Sequence, residues 1–333
     1  MILFRHYKQG ILTHSIGSTN GPTVTQGIAP TKDLIDSYLC TNGKPIKLGG
    51  NTDNQLYRGD KTCANQMINR DPRLSATIYT DKFYVNGMTL PAPVTQSASS
   101  GFRVYKFLDV PNQNAVSGSN NDTDAPVIRL GEVMLNYIEA CAELADMGLY
   151  TVTQNDINIT INALRNRSGF AVKLPNLEII NGLPAVGGET YDDYDRDPTV
   201  PPFIWEIRRE RRVELVYEGY RLTDIKRWRK LDYCKTDQNY YPKKNLGAWV
   251  EKAPGGIRDI TLADINGIVT SPSSQTTGEG YIKISLDDRT EERGNVRERA
   301  YLEHVPTIEI SYYLEKAGVV LTQNPGWQSI LSE

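Results

Sequence analysis

Residues 203–228 read FIWEIRRERRVELVYEGYRLTDIKRW. At about 100° per residue, Phe203, Ile204, Ile207, Leu215, Leu222, Ile225 and Trp228 fall on one face, the period of a helix that buries one side. Arg211, Glu214 and Glu218 share that face. A charge taken out of water is costly unless it is paired and hydrogen-bonded. The stretch therefore predicts a long helical pattern from Phe203 to about Leu231, with a candidate break at Gly219, and an internal ion network. In that network Arg211 and Arg221 meet Glu214 and Glu218, or acids from a neighbouring helix. Such a network fixes the register between helices more than it stabilises the fold. Within it, Glu206, Glu210, Glu214 and Glu218 interleave the run Arg208 to Arg212. That alternation predicts intrahelical pairs rather than the one-sign field of a nucleic-acid helix.

Upstream, Leu130, Val133, Met134, Tyr137, Ile138, Cys141 and Leu144 fall on one arc, opposite Arg129, Glu132, Asn136, Glu139, Glu143 and Asp146. This predicts an amphipathic helix from Val127 to Met147, closed by Gly148. A second helix begins near Thr153, with Asp156 three residues on as an acidic capping box. It carries Ile157, Ile161 and Leu164 on one side and stops at Gly169, so the two form a helical hairpin. Residues 174–202 are irregular and rich in Gly and Asp. From Thr13 to about Pro126 the chain is rich in Gly, Asn, Ser, Thr and Pro. Strand-like runs at Ala76–Tyr79 and Phe102–Tyr105 lie between turn signals there. Residues 232–333 read as loops and short elements, with Trp249 in an exposed-looking segment and a turn at Gln323–Trp327. The organisation expected is thus a loop-rich region over 1–125, helices over 126–231 and a loop-rich C-terminal region over 232–333.

With 333 residues and a formal net charge of -3, the chain can bury a sizeable core and has no bulk attraction for nucleic acid or anionic lipid. It holds 19 Tyr against 6 Phe and 4 Trp. Tyr suits half-wet surfaces such as sugar sites, because its ring is apolar and its hydroxyl hydrogen-bonds. Cys40, Cys63, Cys141 and Cys234 contain no CxxC pair, and His6, His14 and His304 stand outside any motif, so no zinc site is signalled. Cys141 lies among helix apolar residues; Cys40 and Cys63 are candidates for a bridge, without any feature that demands one. No run of about 18 apolar residues predicts a membrane-spanning helix, and the first residues lack the pattern of a secretion signal. Nucleophile elbows, P-loops and HExxH are absent, and the doublets Gly49-Gly50 and Gly187-Gly188 read as turns. Asp192, Asp193, Asp195 and Asp197 are the acids a glycoside hydrolase would need. In a polar loop they read first as solvated acids or a cation-binding turn, and their spacing is not that of an EF-hand.

Several short pieces, in order, resemble the SusD/RagB family of outer-membrane nutrient-binding lipoproteins of Bacteroidetes. They are Pro30 to Tyr38, Asn42 to Ile46, Arg70-Asp71-Pro72-Arg73-Leu74, Ile128 to Val133, Tyr137-Ile138-Glu139-Ala140, Ile161 to Arg167, Arg208 to Trp228, and the closing Gln323 to Trp327. The resemblance implies a mostly α fold with irregular loops and small β elements, in which tetratricopeptide-like helix pairs carry a loop-rich ligand-binding domain. It implies binding without catalysis: a glycan or oligosaccharide nutrient captured at the cell-surface side of the outer membrane and delivered to a SusC-like TonB-dependent β-barrel transporter. The expected ligand contacts are Tyr57, Arg58, Tyr79, Phe83 and Tyr84, with Asn54 and Asn86 as polar partners and Trp249 further off. No cofactor is implied, bound calcium aside, and no nucleic-acid partner. Family members begin with a lipoprotein signal and further scaffold helices, whereas this chain begins where those helices should already have ended. The resemblance therefore implies a truncated chain whose membrane association needs a lipid anchor it lacks, and whose remaining helices expose apolar faces that favour oligomers. The rival functions are a tetratricopeptide-type protein-interaction scaffold and a glycoside hydrolase on Asp192 or Asp193.

Overall fold

A computed structural model describes residues 2–15, 30–60, 63–78, 82–85, 88–91, 100, 102, 104–107, 121–234, 246–250, 280–283 and 296–327. The chain divides into two compact units, Met1–Glu218 with Asn245–Leu286, and Gly219–Lys244 with Asp287–Glu333. The division at Gly219 falls inside the segment 126–231.

The first unit begins with strand β1 (Leu3–Arg5) and the short helix α1 (Lys32–Asp36), which Thr31 caps by accepting from Leu34 N. Strands β2 (Lys47–Leu48) and β3 (Thr52–Asp53) form a hairpin. Helices α2 (Cys63–Met67) and α3 (Pro72–Thr77) follow, then the hairpin β4 (Lys82–Val85) and β5 (Met88–Pro91). Strand β6 (Ala125–Ile128) pairs antiparallel with β1 and leads into the 17-residue helix α4 (Leu130–Asp146). The second helix of the hairpin is composite: α5 (Gln154–Ile157), a π turn over Asn158–Asn162, and α6 (Ala163–Arg165). A three-stranded antiparallel sheet comes next, β7 (Glu178–Ile180), β8 (Leu183–Val186) and β9 (Glu189–Thr190). Both of its turns have positive φ at the two central residues, Asn181 and Gly182, then Gly187 and Gly188, the geometry that matches the twist of paired strands. Helix α7 (Pro202–Glu214) packs on α4, and β10 (Leu246–Val250) pairs with β11 (Gly280–Lys283).

One core cluster joins α1, α3 and α7 through Leu34, Ile35, Tyr38, Leu74, Ile78, Phe102 and Val213. The Tyr38 hydroxyl donates to Thr77 Oγ1 at 3.0 Å, so this buried ring leaves no orphan donor. Arg70 ties the end of α1 down, donating to the carbonyls of Ile35 (2.6 Å), Tyr38 (2.7 Å) and Gln66 (2.8 Å). Cationic donors there satisfy carbonyls that the helix leaves without partners.

The second unit holds α8 (Tyr220–Arg227) and α9 (Thr307–Ala317) with short 3-10 turns at Leu231–Cys234 and Glu298–Tyr301. Its closing turn is held from both ends. Gln323 accepts from Val305 N (2.6 Å) and donates to Val305 O (2.9 Å), while Trp327 Nε1 donates to Leu302 O at 2.9 Å. Among the described residues no helix is long and apolar enough to cross a membrane.

Several expectations are corrected. The long pattern from Phe203 is two helices, because Tyr217 and Gly219 both take positive φ between them. Helix α4 starts at Leu130 rather than Val127, since Ala125–Ile128 pairs with β1. Of its expected inward arc, Ile138 and Cys141 are buried, whereas Leu130 (53% exposed), Val133, Tyr137 and Leu144 face outward. Leu135, Ala142 and Gly131 take their place inside. The helix is apolar on two sides, and periodicity alone does not say which side meets α7. Ala76 and Thr77 belong to α3 instead of a strand, because Asp71 caps and Pro72 opens a helix there; Ile78 alone bridges to Val104. Helix α9, 11 residues long, is one of the elements in the stretch 232–333 read as loops and short elements. Cys40 is free and buried rather than bridged.

The predicted capping box is present: Thr153 Oγ1 accepts from Asp156 N, and the Asp156 carboxylate accepts from Thr153 N at 2.8 Å. Tyr137 and Tyr150 hydroxyls also donate to it, at 2.9 and 3.1 Å. These hydrogen bonds, the Thr153 hydroxyl's first, hold the Asp156 carboxyl down at about 2. Thr153→Ala should lower stability by about 1 kcal/mol, read as a lower urea midpoint with an unchanged m-value.

Candidate functional site

Helix α7 turns Glu206, Glu210 and Glu214 to one buried face, at i, i+4 and i+8. Each is almost wholly out of water, so each needs a cation. The Glu210 carboxylate accepts from Arg165 Nε at 2.7 Å on one oxygen and from Arg73 at 2.8 Å on the other. Arg73 is itself held by Asp71, at 2.6 Å. Glu214 takes Arg129 (2.8 Å) and Arg167 on one oxygen and Arg73 (3.4 Å) on the other. Glu206 pairs with Arg165 (3.2 Å) and Arg209, and Arg209 in turn with Asp193. Glu218 closes the row, bound by Arg129 and Lys106 at 2.6 Å each.

The end of α7 is built by the same cations. Lys106 Nζ donates to the carbonyls of Glu214 (3.2 Å) and Val216 (2.9 Å), and Arg129 donates to Glu214 O at 2.7 Å. Positive charge at a helix C-terminus meets both its dipole and its unpartnered carbonyls. Tyr217 and Phe107 both hold left-handed backbone beside this cluster, at φ 63 and 68. That conformation costs a bulky residue about 1–3 kcal/mol and persists only where the surroundings impose it.

Between these groups lies a cavity of about 250 Å³. Its charged walls are Arg73, Lys106, Arg129, Arg167, Glu214 and Glu218; Ala76, Phe107, Pro126 and Val213 supply apolar surface.

The expected network members are placed differently from one another. Glu214 and Glu218 sit in the network with cations from elsewhere in the chain. Arg211 is buried and donates to Asn136 of α4 at 2.6 Å. Arg221 belongs to the second unit, where its guanidinium lies 5.7 Å from the Trp228 ring. The arginine run pairs mostly across elements rather than within its helix: Arg208 with Glu143 (3.3 Å), Arg212 with Asp33 (2.6 Å), and Arg209 both with Glu206 and with Asp193. Arg73, Arg129, Arg165, Arg167 and Lys106 were not singled out as network partners, although four of them lie in motifs quoted above. No local pattern says that a guanidinium will meet an acid 41 to 141 positions away.

Of the expected ligand contacts, Tyr57 is half-buried with the Arg70 guanidinium 5.6 Å from its ring, and Arg58 is exposed. Asn54 is buried and its amide is consumed by its own loop. It donates to Asn42 Oδ1 (3.1 Å) and Pro45 O (2.9 Å), and accepts from Asn42 Nδ2 and Leu56 N, both at 3.1 Å. That leaves it no capacity for a ligand. Phe83 and Tyr84 occupy β4 opposite Leu90 and Thr89, and Trp249 occupies β10 opposite Tyr281. Tyr79 and Asn86 lie outside the described residues. In the acidic loop, Arg196 chelates Asp192 at 2.7 and 2.9 Å, Trp205 Nε1 donates to Asp193 at 2.8 Å, and Asp197 accepts from Thr199 at 2.7 Å. Among the described residues no group of three or more His, Cys, Asp or Glu could hold a metal ion.

Paired helices bearing a loop-rich body, locked by acids of one helix and arginines of the others, define a mixed helical scaffold with small sheets. The chain belongs to the SusD family, whose pattern it matches over residues 8–327. Two solved structures share the fold. A SusD-like carbohydrate binding protein from Bacteroides fragilis NCTC 9343 has a TM-score of 0.54 at 23% identity, over 85% of this chain and 49% of that one. A second SusD-like protein from the same organism has a TM-score of 0.53 at 20% identity, over 98% and 54% respectively. The chain thus spans about half the length of these structures. No curated protein matches it.

The buried acids make stability pH-dependent. Burial alone would push the Glu210 and Glu214 carboxyls up; the Arg165 and Arg73 guanidiniums at Glu210, and Arg73, Arg167 and Arg129 at Glu214, outweigh it and hold both at about 2. Glu206 goes the other way, because burial outweighs Arg209 and Arg165. An unfolded Glu titrates near about 4.3. The contribution of Glu210 and Glu214 is therefore complete above that pH and lost as pH falls toward 2, with Glu206 opposing. The urea midpoint should drop steeply across that window. Glu214→Gln should cost about 3–5 kcal/mol at pH 7 by stranding its arginines, and should flatten the acid-side slope; an unchanged slope would contradict the pairing.

Proposed function

We propose that this chain is the cargo-holding part of a surface nutrient-binding protein, one that captures a glycan or oligosaccharide without chemistry at the outer face of the bacterial outer membrane. It passes that cargo to a SusC-like TonB-dependent barrel. The observation that carries this reading is membership of the SusD family along nearly the whole chain, supported by the carbohydrate-binding description of a structural neighbour. Tyr57 and Arg58 are the contacts this reading assigns, followed by Phe83, Tyr84 and Trp249. Half-buried Tyr with an exposed Arg nearby offers a ring face and hydroxyl donors together, the usual combination for sugars.

A hydrolase reading fits less well, since Asp192 and Asp193 are both spent on ion pairs and hydrogen bonds. Glycosidic cleavage needs one carboxyl kept protonated across the bond from a free carboxylate.

Calorimetric titration with a panel of neutral oligosaccharides should give saturable binding to at least one, with no reducing ends released on long incubation. Tyr57→Ala should weaken that binding about tenfold, and Asp192→Asn should leave it unchanged. Flat titrations across the panel, or product formation that Asp192→Asn abolishes, would overturn the assignment.

A further inference from the structure

The cavity beside the end of α7 has one cation on its wall whose donors are not all used. Arg129 uses Nε and both terminal nitrogens on Glu214 and Glu218. Lys106 uses its ammonium on Glu218 and two carbonyls, and Arg73 is engaged through all three nitrogens. Arg167 differs. It gives NH1 to Glu214, while Nε and NH2 make no hydrogen bond to any described residue, and its side chain is 36% exposed. Phe170 backs it, with the guanidinium 4.9 Å from the ring. A guanidinium stacked on an aromatic face presents its edge in a fixed plane.

The acids nearby are already shared among other donors. Glu214 Oε1 already accepts from Arg129 and Arg167, and Glu218 from Arg129 through both oxygens and from Lys106. The four cations on the cavity wall, Arg73, Lys106, Arg129 and Arg167, are matched by four acids, Glu214 and Glu218 on the wall and Asp71 and Glu210 behind Arg73. What sets Arg167 apart is its open donors. The space of about 250 Å³ lies just below the volume of a drug-sized site, which suits a single sugar ring. Phe107, held in left-handed backbone at the wall, gives that ring apolar surface.

We infer that this cavity is a subsite for a carboxylate-bearing sugar, a uronic acid residue whose carboxylate takes Nε and NH2 of Arg167 bidentately. This rests on the glycan-binding reading above and specifies an acidic cargo. The open Nε and NH2 edge, a two-pronged fork of charged donors, favours a planar carboxylate over a hydroxyl.

The test compares trigalacturonate with its fully methyl-esterified form on the intact chain by calorimetry, alongside the neutral panel. The acid should bind at least about tenfold more tightly than the ester, and added salt should erode the difference. Arg167→Gln should remove the preference, and Arg167→Lys, which keeps the charge facing Glu214 but loses the fork, should restore little of it. Glu214 retains Arg73 and Arg129 in both variants, and thermal melts check that they fold. In the wild type, the Arg167 Nε–H proton resonance should shift on adding the acid and not the ester. Equal affinity for acid and ester, or a preference that survives both substitutions, would overturn the subsite while leaving neutral-glycan binding intact. Failure of every saccharide, charged or neutral, would remove the broader reading as well.

Discussion

Three glutamates on one face of α7 cannot be buried alone, and the architecture of the first unit follows from how they are matched. Their cations arrive from α3, from the residue before α4, from the end of the second hairpin helix and just beyond it, and from Arg209 of α7 itself. A buried ion pair is a weak source of net stability but a severe penalty when broken. The arrangement therefore acts less as glue than as a lock: any packing that leaves one arginine out of place strands a carboxylate. Apolar packing among Leu34, Tyr38, Leu74, Phe102 and Val213 supplies the driving force, while the ion pairs select which packing is reached.

The lock also shapes the site. Arg129 and Lys106 finish the C-terminus of α7, just before Tyr217 takes a backbone conformation that a tyrosine seldom adopts. The cavity lies beside these groups, so charged side chains stand on its wall together with the apolar surface of Ala76, Phe107, Pro126 and Val213. Among the cations on its wall, Arg167 alone pairs with an acid and still keeps donors open.

Much of this was legible beforehand. The 3.6 period of 203–228 with charges inside its apolar stripe announced both a helix and an internal network: of the expected stripe charges Arg211 and Glu214 are buried and Glu218 is half-buried, while Glu206 and Glu210, read as partners within the helix, are buried as well. Thr153 and Asp156 announced a helix start through chemistry confined to four residues. The Leu130 arc misled because α4 has two apolar sides and the pattern carries no label for the one that meets α7. Ala76 and Thr77 misled because a capped proline start outweighs β-type residues after it. Asn54 resembled a ligand contact since a buried amide in a turn and a free amide in a site have the same local sequence.

By itself the sequence determined the helical periods, the caps, the glycine turns, the need for buried counter-charges and the family resemblance, all of which depend on neighbours a few positions apart or on motif order. Only the tertiary structure decided which arginine meets which glutamate, which side of α4 is covered and which guanidinium keeps donors to spare. Those outcomes depend on distances between residues far apart in the chain, and a distance of that kind exists only once the backbone has closed around it.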